Sequence, residues 1–249
     1  GEMPTFLDDP IVAEKIIFVI DRSYSMSEPL SGVQRQRREE EREAARTGRG
    51  EDGEEEEEEL PWDEIETKWD LARESLIMTL RDLEAERHQF TIILFDHRVF
   101  VWNEEIVAAR SSAVEDAIRW LENQPDPDAS NRDDRWGLTN IYDALASAMS
   151  LSTGERLTYR GRADGPVRTG EDDVDLIDQG AEEIRILTDG EPTDGQYVNS
   201  EDILAHLREL NRTRRLRIST YGIGDHNPGL MQAIAEQNGG RYRNLNQRD

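Results

Sequence analysis

The sequence predicts an α/β fold with a doubly wound, mostly parallel sheet of six strands. One of them is an antiparallel edge strand, and helices cover both faces. Three observations lead to this prediction. Strand-like and helix-like patterns alternate along the chain. Ile16–Ile20 is apolar at every position, which is typical of a strand buried on both faces. Only Asp96–Arg98 separates two further strand patterns, a gap too short for a parallel crossover, so these strands form a hairpin.

The individual elements follow from periodicity and from helix signals. Apolar residues step by three and four between Trp62 and Leu83, which predicts an amphipathic helix. Ser200 is a candidate helix cap, and Pro228 suits the first turn of another helix. The predicted strands cover residues 16–20, 90–95, 99–102, 184–187, 216–223 and 241–245, and the predicted helices cover residues 62–83, 113–121, 141–151, 200–210 and 228–239.

We expect a single domain over residues 11–249, preceded by an N-terminal extension at residues 1–10. Two polar stretches interrupt it. Residues 28–60 hold 13 acidic residues and 6 arginines but few apolar ones, which predicts a disordered acidic insertion. Residues 154–180 contain polar, glycine-containing pieces that predict a second, loop-like insertion. Without both, roughly 190 residues remain, a normal size for one α/β domain.

The composition limits the classes of partner. The net charge is −25, from 55 acidic and 30 basic residues, which argues against nucleic acid. No apolar run approaches the roughly 18 residues of a membrane span. The absence of cysteine excludes disulfides and thiolate chemistry but fits either an oxidising or a reducing compartment. The chain starts at Gly1 without an initiator Met, so we expect it to be part of a longer polypeptide, with an extracytoplasmic or cell-surface location slightly favoured over the cytoplasm.

Oxygen-bearing side chains follow the predicted strands where a ligand site is expected. Asp21, Ser23 and Ser25 come directly after "IIFVI", and Asp189 follows "IRILT". Open α/β sheets bind ligands outside the carboxyl ends of the strands, where the strand order reverses. If these two strands are neighbours at that point, the carboxylates converge, and Thr139 ahead of a helix could add a third hydroxyl. An all-oxygen cluster of this kind suits a hard cation.

These residues resemble a known pattern. Asp-x-Ser-x-Ser after a first strand, a Thr before a later helix and an Asp after a fourth strand form the metal-ion-dependent adhesion site of von Willebrand factor A domains. The chain is similar to that family from Ile11 to Leu245 apart from the two insertions. The segments "STYGIGDHNPGL" and "AIAEQNGGRY" resemble the last strand-helix-strand unit of its bacterial members.

The resemblance implies a binding function. It implies that Ser23, Ser25 and Thr139 bind Mg²⁺ or Mn²⁺ directly, with Ca²⁺ as the alternative ion, whereas Asp21 and Asp189 act largely through water. The cation would then accept a Glu or Asp carboxylate from a partner protein. No general acid, nucleophile or phosphate-binding loop accompanies the cluster, so we expect no enzyme.

The expected rim of the site departs from the family pattern at two positions. The expected ligand-contact residues are Tyr24, Leu138, Asn140 and Glu191. Tyr24 and Leu138 stand where the family commonly has glycine. Tyr24 would modify the contact surface, and Leu138 could alter how closely Thr139 approaches the metal. Neither departure removes a ligating oxygen.

Other functions have weaker support in the sequence. Some bacterial relatives couple to an AAA-type ATPase inside the cell, and the full-length chain would separate that role from adhesion. A magnesium-dependent phosphoryl-transfer enzyme could use Asp21 as nucleophile, but Asp21-Arg22-Ser23 lacks the second Asp that such sites use.

Gly222 to Asn227 resembles a dinucleotide fingerprint without its third glycine, and a tight turn is favoured. Asp126–Asp134 has alternate oxygens but lacks the Gly and Glu of an EF-hand calcium loop, and Glu54–Glu59 is expected to be solvated.

Overall fold

The strands and helices occur in the predicted alternating order, with several additions. The computed structural model describes residues 3–47, 60–127, 138–151, 156–159, 166–169 and 180–247. The strands are β1 (Thr5–Phe6), β2 (Asp9–Pro10), β3 (Lys15–Asp21), β4 (Gln89–Phe95), β5 (Val99–Val101), β6 (Val107–Ala108), β7 (Arg156–Tyr159), β8 (Pro166–Thr169), β9 (Glu183–Thr188), β10 (Arg217–Gly222) and β11 (Gly239–Asn244). The helices are α1 (Gly32–Thr47), α2 (Lys68–Asp82), α3 (Ser111–Glu122), α4 (Ile141–Leu151), α5 (Ser200–Asn211) and α6 (Pro228–Gln237), with a 3₁₀ helix at Tyr24–Ser27.

The parallel strands place a switch point beside β3. The sheet order is β11-β10-β9-β3-β4-β5, so the chain moves from β3 to β4 on one side and later returns to β9 on the other. β3 is parallel to both neighbours, with Val19 opposite Ile93 of β4 and opposite Ile186 of β9. The strand that precedes Asp21 and the strand that precedes Asp189 are therefore neighbours, and their carboxyl ends lie side by side.

The antiparallel edge differs from the prediction. In the part of the chain that the structure describes, the main sheet has seven strands, of which two are antiparallel, rather than six strands with one antiparallel member. β5 pairs with the second half of β4, and β6 pairs with its first half. A turn separates them, in which the Asn103 side chain accepts a hydrogen bond from the Glu105 N–H at 3.0 Å. The predicted edge strand at 99–102 corresponds to β5, and β6 is an additional antiparallel strand that was not predicted.

Helices cover both faces of the sheet, as predicted for a doubly wound fold. One face of β3 buries Ile16, Phe18 and Ile20 in a core that includes α2 and α3. The other face buries Ile17 and Val19 against α4, α5 and α6. This two-sided burial explains why the segment Ile16–Ile20 of β3 is apolar at every position.

Helix α2 begins later than the prediction of 62–83. The Thr67 hydroxyl accepts the N–H of Asp70 at 3.1 Å, and an Asp70 carboxylate oxygen accepts the N–H of Thr67 at 2.9 Å. This capping box starts the helix at Lys68. Trp62 and Ile65 fit the helical period and are buried in the same core, but they precede the helix. The periodic pattern of buried residues therefore begins before the first residue of helix α2.

The first half of the predicted disordered insertion is a helix. Residues 32–47 form α1, whose arginines bind backbone oxygens of the segment that follows the insertion. Arg42 donates to the carbonyl oxygen of Trp62 at 3.1 Å, and Arg38 donates to that of Ile65 at 3.2 Å. The prediction of disorder was wrong for this half because its arginine side chains bind those carbonyl oxygens and hold the helix against the segment before α2. Glu54–Glu59 lies outside the described residues.

The predicted N-terminal extension packs on the domain. β1 and β2 form a hairpin, and Phe6 is fully buried with its ring centroid 5.5 Å from that of Phe18 and 5.1 Å from that of Tyr221. The Tyr221 hydroxyl donates to Asp9 at 2.7 Å. Residues 3–10 therefore continue the folded core, and the boundary at residue 11 is too late. Within the second predicted insertion, β7 and β8 form an antiparallel pair.

Candidate metal site at the carboxyl edge of the sheet

Asp21 lies at the end of β3 with both carboxylate oxygens engaged. One oxygen accepts the N–H of Ser23 at 2.7 Å, and the other accepts the hydroxyl of Thr188 at 2.5 Å. The side chain has no solvent exposure. Burial, followed by the neighbouring charge of Asp189, raises the pKa of Asp21 to about 7, although the hydrogen bonds from Thr188 and Ser23 oppose this shift. A positive charge near the carboxylates of Asp21 and Asp189 would favour their ionised forms.

The two serines and Asp189 form a connected set of oxygens. The Ser23 and Ser25 hydroxyl oxygens are 3.1 Å apart, and the Ser25 hydroxyl donates to Asp189 Oδ1 at 2.7 Å. Ser23 ends an extended segment, and Ser25 lies in the 3₁₀ helix that follows. Asp189 is the first residue after β9. The structure therefore brings together predicted site residues that are 164 positions apart in the sequence.

Thr139 reaches the same edge from the loop before α4. Its N–H donates to the Thr193 hydroxyl at 2.9 Å, and its carbonyl oxygen accepts the N–H of Thr193 at 3.0 Å. The Thr139 hydroxyl also faces Gly190, where an added Cβ would lie only 3.0 Å from it. Thr139 thus packs against the loop that carries Asp189, and Gly190 permits this close approach.

Lys68 also belongs to this site, and sequence reasoning missed it. Its ammonium donates to Asp189 Oδ2 and to a Glu28 carboxylate oxygen, each at 2.8 Å. Burial lowers the pKa of Lys68, but the hydrogen bonds and charges of both carboxylates outweigh this effect and raise it overall. One signal was present. Lysine at the first position of a helix faces the positive end of the helix dipole and needs a compensating anion.

The predicted rim residues have different environments. The Tyr24 side chain is 43% exposed, and Leu138 is half-buried. Glu191 is exposed and accepts a hydrogen bond from the Asn227 amide at 2.6 Å. Asn140 is fully buried and donates to Asp143 at 2.7 Å. Ligand contact by Asn140 stays a prediction, and in this structure its side chain fixes the start of α4 from the inside.

The residues at this edge fit a hard cation. Among the described residues, no cluster of three or more His, Cys, Asp or Glu side chains is arranged to hold a metal. The present cluster instead combines two carboxylates with hydroxyl groups, which are oxygen donors that Mg²⁺ and Mn²⁺ accept. The raised pKa of Asp21 is a second indication, since a bound cation would relieve the repulsion between the carboxylates.

The structure bears on two other candidate sites in the sequence, the dinucleotide-like segment and the calcium loop. Gly224, in the segment that resembles a dinucleotide fingerprint, has φ +60°, and an added Cβ would lie 2.8 Å from the Lys68 ammonium. A Cβ at Gly222 would collide with the ring of His226. These glycines therefore serve a tight turn beside side chains, as expected. Most of the candidate calcium loop, residues 128–134, lies outside the described residues.

Comparison with known proteins identifies the family. The sequence profile of the von Willebrand factor type A domain matches residues 65–244. The chain belongs to the von Willebrand factor type A domain family. This match covers α2 to β11, and therefore includes Thr139 and Asp189, whereas Asp21, Ser23 and Ser25 precede it.

Solved structures share the fold of this von Willebrand factor type A (VWA) domain. A von Willebrand factor type A protein from Catenulispora acidiphila is 15% identical with a TM-score of 0.55, over 96% of this chain and 40% of the other. The minor pilin PilB from Streptococcus sanguinis is 17% identical with a TM-score of 0.52, over 96% and 59%. BatB from Bacteroides thetaiotaomicron is 14% identical with a TM-score of 0.51, over 92% and 89%. The VWA chain thus spans about 40% of the first protein and 59% of the second.

Proposed function

We propose that this VWA domain is a metal-dependent protein-interaction module of the bacterial type. Its oxygen cluster of Asp21, Ser23, Ser25, Thr139 and Asp189 would act as a metal-ion-dependent adhesion site that holds Mg²⁺ or Mn²⁺. The contact that carries the proposal is the chain of oxygens from Ser23 through Ser25 to Asp189, with separations of 3.1 and 2.7 Å. Hydroxyls and carboxylates from two loops, one after β3 and one after β9, converge there.

The charge of the cluster suits a carboxylate partner. Asp21 and Asp189 contribute two formal negative charges, and the remaining candidate ligands are neutral hydroxyls. Because only a few protein carboxylates surround it, a bound divalent cation keeps much of its positive charge. When bound, the cation supplies an open coordination position that accepts a Glu or Asp oxygen of the partner. Exposed Tyr24 lies in the 3₁₀ helix of the cluster and provides an aromatic contact beside that position.

The net charge of −25 does not prevent such binding. Repulsion between an acidic domain and an acidic partner is screened beyond about 8–10 Å at physiological salt. The metal contact acts at bonding distance. Residues 28–60 alone contribute a net −7, from 13 acidic residues and 6 arginines, so the rest of the domain is less acidic than the total implies.

Isothermal titration calorimetry of Mg²⁺ and Mn²⁺ tests the metal site. The wild-type domain is expected to bind one cation, and Asp21→Ala and Asp189→Ala are expected to abolish binding. Asp225→Ala is the matched control, because Asp225 is exposed in the turn beside Lys68 and its loss changes the net charge equally. Unchanged binding in both cluster variants would refute the proposed site.

We propose a binding role rather than catalysis and, for the intact protein, an extracytoplasmic or cell-surface location. The hydrogen bonds of Asp21, Ser25 and Asp189 hold these oxygens in a fixed arrangement, which supports a binding role. Across the residues that the structure describes, none of the helices has the length and apolar character needed to cross a membrane. Fractionation of cells that produce the full-length protein would test the location.

A further inference from the structure

The Lys68 ammonium joins three parts of the candidate metal site. Its nitrogen lies 2.8 Å from Asp189 Oδ2, 2.8 Å from a Glu28 carboxylate oxygen and 3.3 Å from the Ser25 carbonyl oxygen. An ammonium has three N–H donors, so these three acceptors can use all of them. The side chain is only 6% exposed. Lys68 therefore connects the start of α2 to the 3₁₀ helix and to the loop after β9.

The surrounding backbone is shaped to admit this lysine. Gly224 has φ +60°, a conformation that residues with a Cβ rarely adopt. A Cβ there would lie 2.8 Å from the Lys68 nitrogen and 2.9 Å from its Cε. The space for the lysine thus depends on a glycine in the turn after β10. The start of α2, the 3₁₀ helix, the loop after β9 and the turn after β10 therefore surround this one positive charge.

The position of Lys68 affects the charge that a metal would meet. Without it, Asp21 and Asp189 give the site two negative charges. With it, the formal charge of these three groups is −1, or −2 when Glu28, which binds the same ammonium, is included, and one oxygen of Asp189 is already bound to a cation. In a buried site, electrostatic interactions are screened less than at the surface, so a fixed ammonium opposes the entry of a divalent cation.

We propose that Lys68 is a fixed internal cation of the site, which holds Asp189 and the Ser25 turn together without a metal and weakens the binding of a divalent cation. The inference rests on the proposed metal-binding function and adds to it the residue that sets cation affinity. The cluster is then assembled before metal binding, and the cation is held weakly enough to depend on its local concentration or on a partner carboxylate.

The chain offers a matched pair of variants, because its two lysines are Lys15 and Lys68. Lys15 lies at the start of β3, at the opposite end of the strand from Asp21. Lys68→Met and Lys15→Met make the same chemical change and the same change in net charge. Calorimetric titration with MnCl₂ is expected to show at least about tenfold tighter binding by Lys68→Met, since unit charges a few ångströms apart interact by more than about 1.4 kcal/mol in a protein. Lys15→Met is expected to bind like the wild type.

Thermal unfolding provides a second measurement. Lys68→Met leaves two buried carboxylates without their internal cation, so its midpoint in chelator is expected to fall below that of the wild type. Mn²⁺ is expected to raise this midpoint by more than it raises that of the wild type or of Lys15→Met.

Each outcome of the titrations decides a different point. Tighter binding by Lys68→Met, even if the wild type binds no metal, supports the inference. Equal or weaker binding by Lys68→Met, while the wild type binds, overturns the inference and leaves the proposed metal site intact. No binding by any of the three folded proteins overturns both.

Glu28 keeps the inference testable if Lys68→Met does not fold. Its side chain is 59% exposed and binds the same ammonium, so Glu28→Gln leaves Lys68 in place with one fewer neutralising charge. Glu28→Gln is expected to weaken Mn²⁺ binding, whereas Glu64→Gln, at another exposed glutamate, is expected to leave it unchanged. Equal affinities of these two variants would overturn the inference.

Discussion

Asp21→Asn is expected to change the pH dependence of stability in the metal-free domain. Asp21 has no solvent exposure, and burial together with the charge of Asp189 raises the pKa of Asp21 from 3.8 to about 7. In the unfolded chain the same carboxyl group has its ordinary pKa. Between about pH 4 and pH 7, the native state therefore holds a proton that the unfolded state has lost. An asparagine at this position has no proton to lose in either state.

The sign and size of the effect follow from linkage. Because the native state binds more protons in this window, stability is greatest below the unfolded pKa and is lost as the pH rises through the native pKa. The loss is about 1.4 kcal/mol per pH unit while the two states differ by one proton. From pH 5 to pH 8 the free energy of unfolding of the wild type is expected to fall by roughly 2–3 kcal/mol relative to Asp21→Asn. The acidic residues that do not interact with Asp21 contribute equally to both proteins, so their contributions cancel in the difference.

Urea unfolding in the presence of a chelator measures this difference at pH 5, 6, 7 and 8. Asp225→Asn serves as the control, since it makes the same chemical change at an exposed position. A difference between wild type and Asp21→Asn that stays constant within about 0.5 kcal/mol over this range would refute the reasoning. It would mean that Asp21 is ionised in the metal-free native state throughout.

Three further changes test the fold around the site. Gly224→Ala is expected to cost about 1–3 kcal/mol in urea unfolding, because the positive φ is strained for alanine and the new Cβ would press on Lys68. Phe6→Ala is expected to cost about 3–5 kcal/mol, measured in the same way, because this fully buried ring packs on the sheet. Deletion of residues 49–58 is expected to leave the thermal midpoint unchanged, whereas deletion of residues 32–47 is expected to lower it, because the arginines of α1 bind the backbone of residues 62–65.

Controls for these changes are available in the chain. Gly229→Ala places a Cβ in ordinary contact distance of a single side-chain atom, 3.6 Å away, and is expected to have little effect. Met3 is 50% exposed, so Met3→Ala is expected to change stability by less than about 0.5 kcal/mol. A stable domain after loss of Phe6 would show that the N-terminal hairpin is a separate extension. Equal midpoints for the two deletions would show that α1 contributes nothing to the fold.

The sequence alone determined where the main strands lie and which oxygens follow them. The continuous apolar run Ile16–Ile20 predicted β3, and the short strand pattern at Ile184–Leu187 predicted β9. Asp21 directly follows the first pattern, and Asp189 lies two positions after the second. Such patterns are readable because they depend on local periodicity and on the direction of neighbouring side chains. The general rule for ligand sites in doubly wound sheets then predicted that the two carboxylates meet, and the structure places β3 beside β9.

The tertiary structure decided which other groups complete the site. Lys68 lies 43 positions from Ser25 and 121 positions from Asp189, and Thr188 is 167 positions from Asp21. No local spacing connects residues so far apart. Their contacts depend on the strand order, on the exact start of α2 and on the space left by Gly224. The burial of Asn140 could not be predicted from the sequence for the same reason. Whether a side chain next to a ligand residue faces solvent or the core depends on how its loop packs against other segments. Local pattern therefore fixed the oxygens of the site, and long-range packing fixed their partners and their charge.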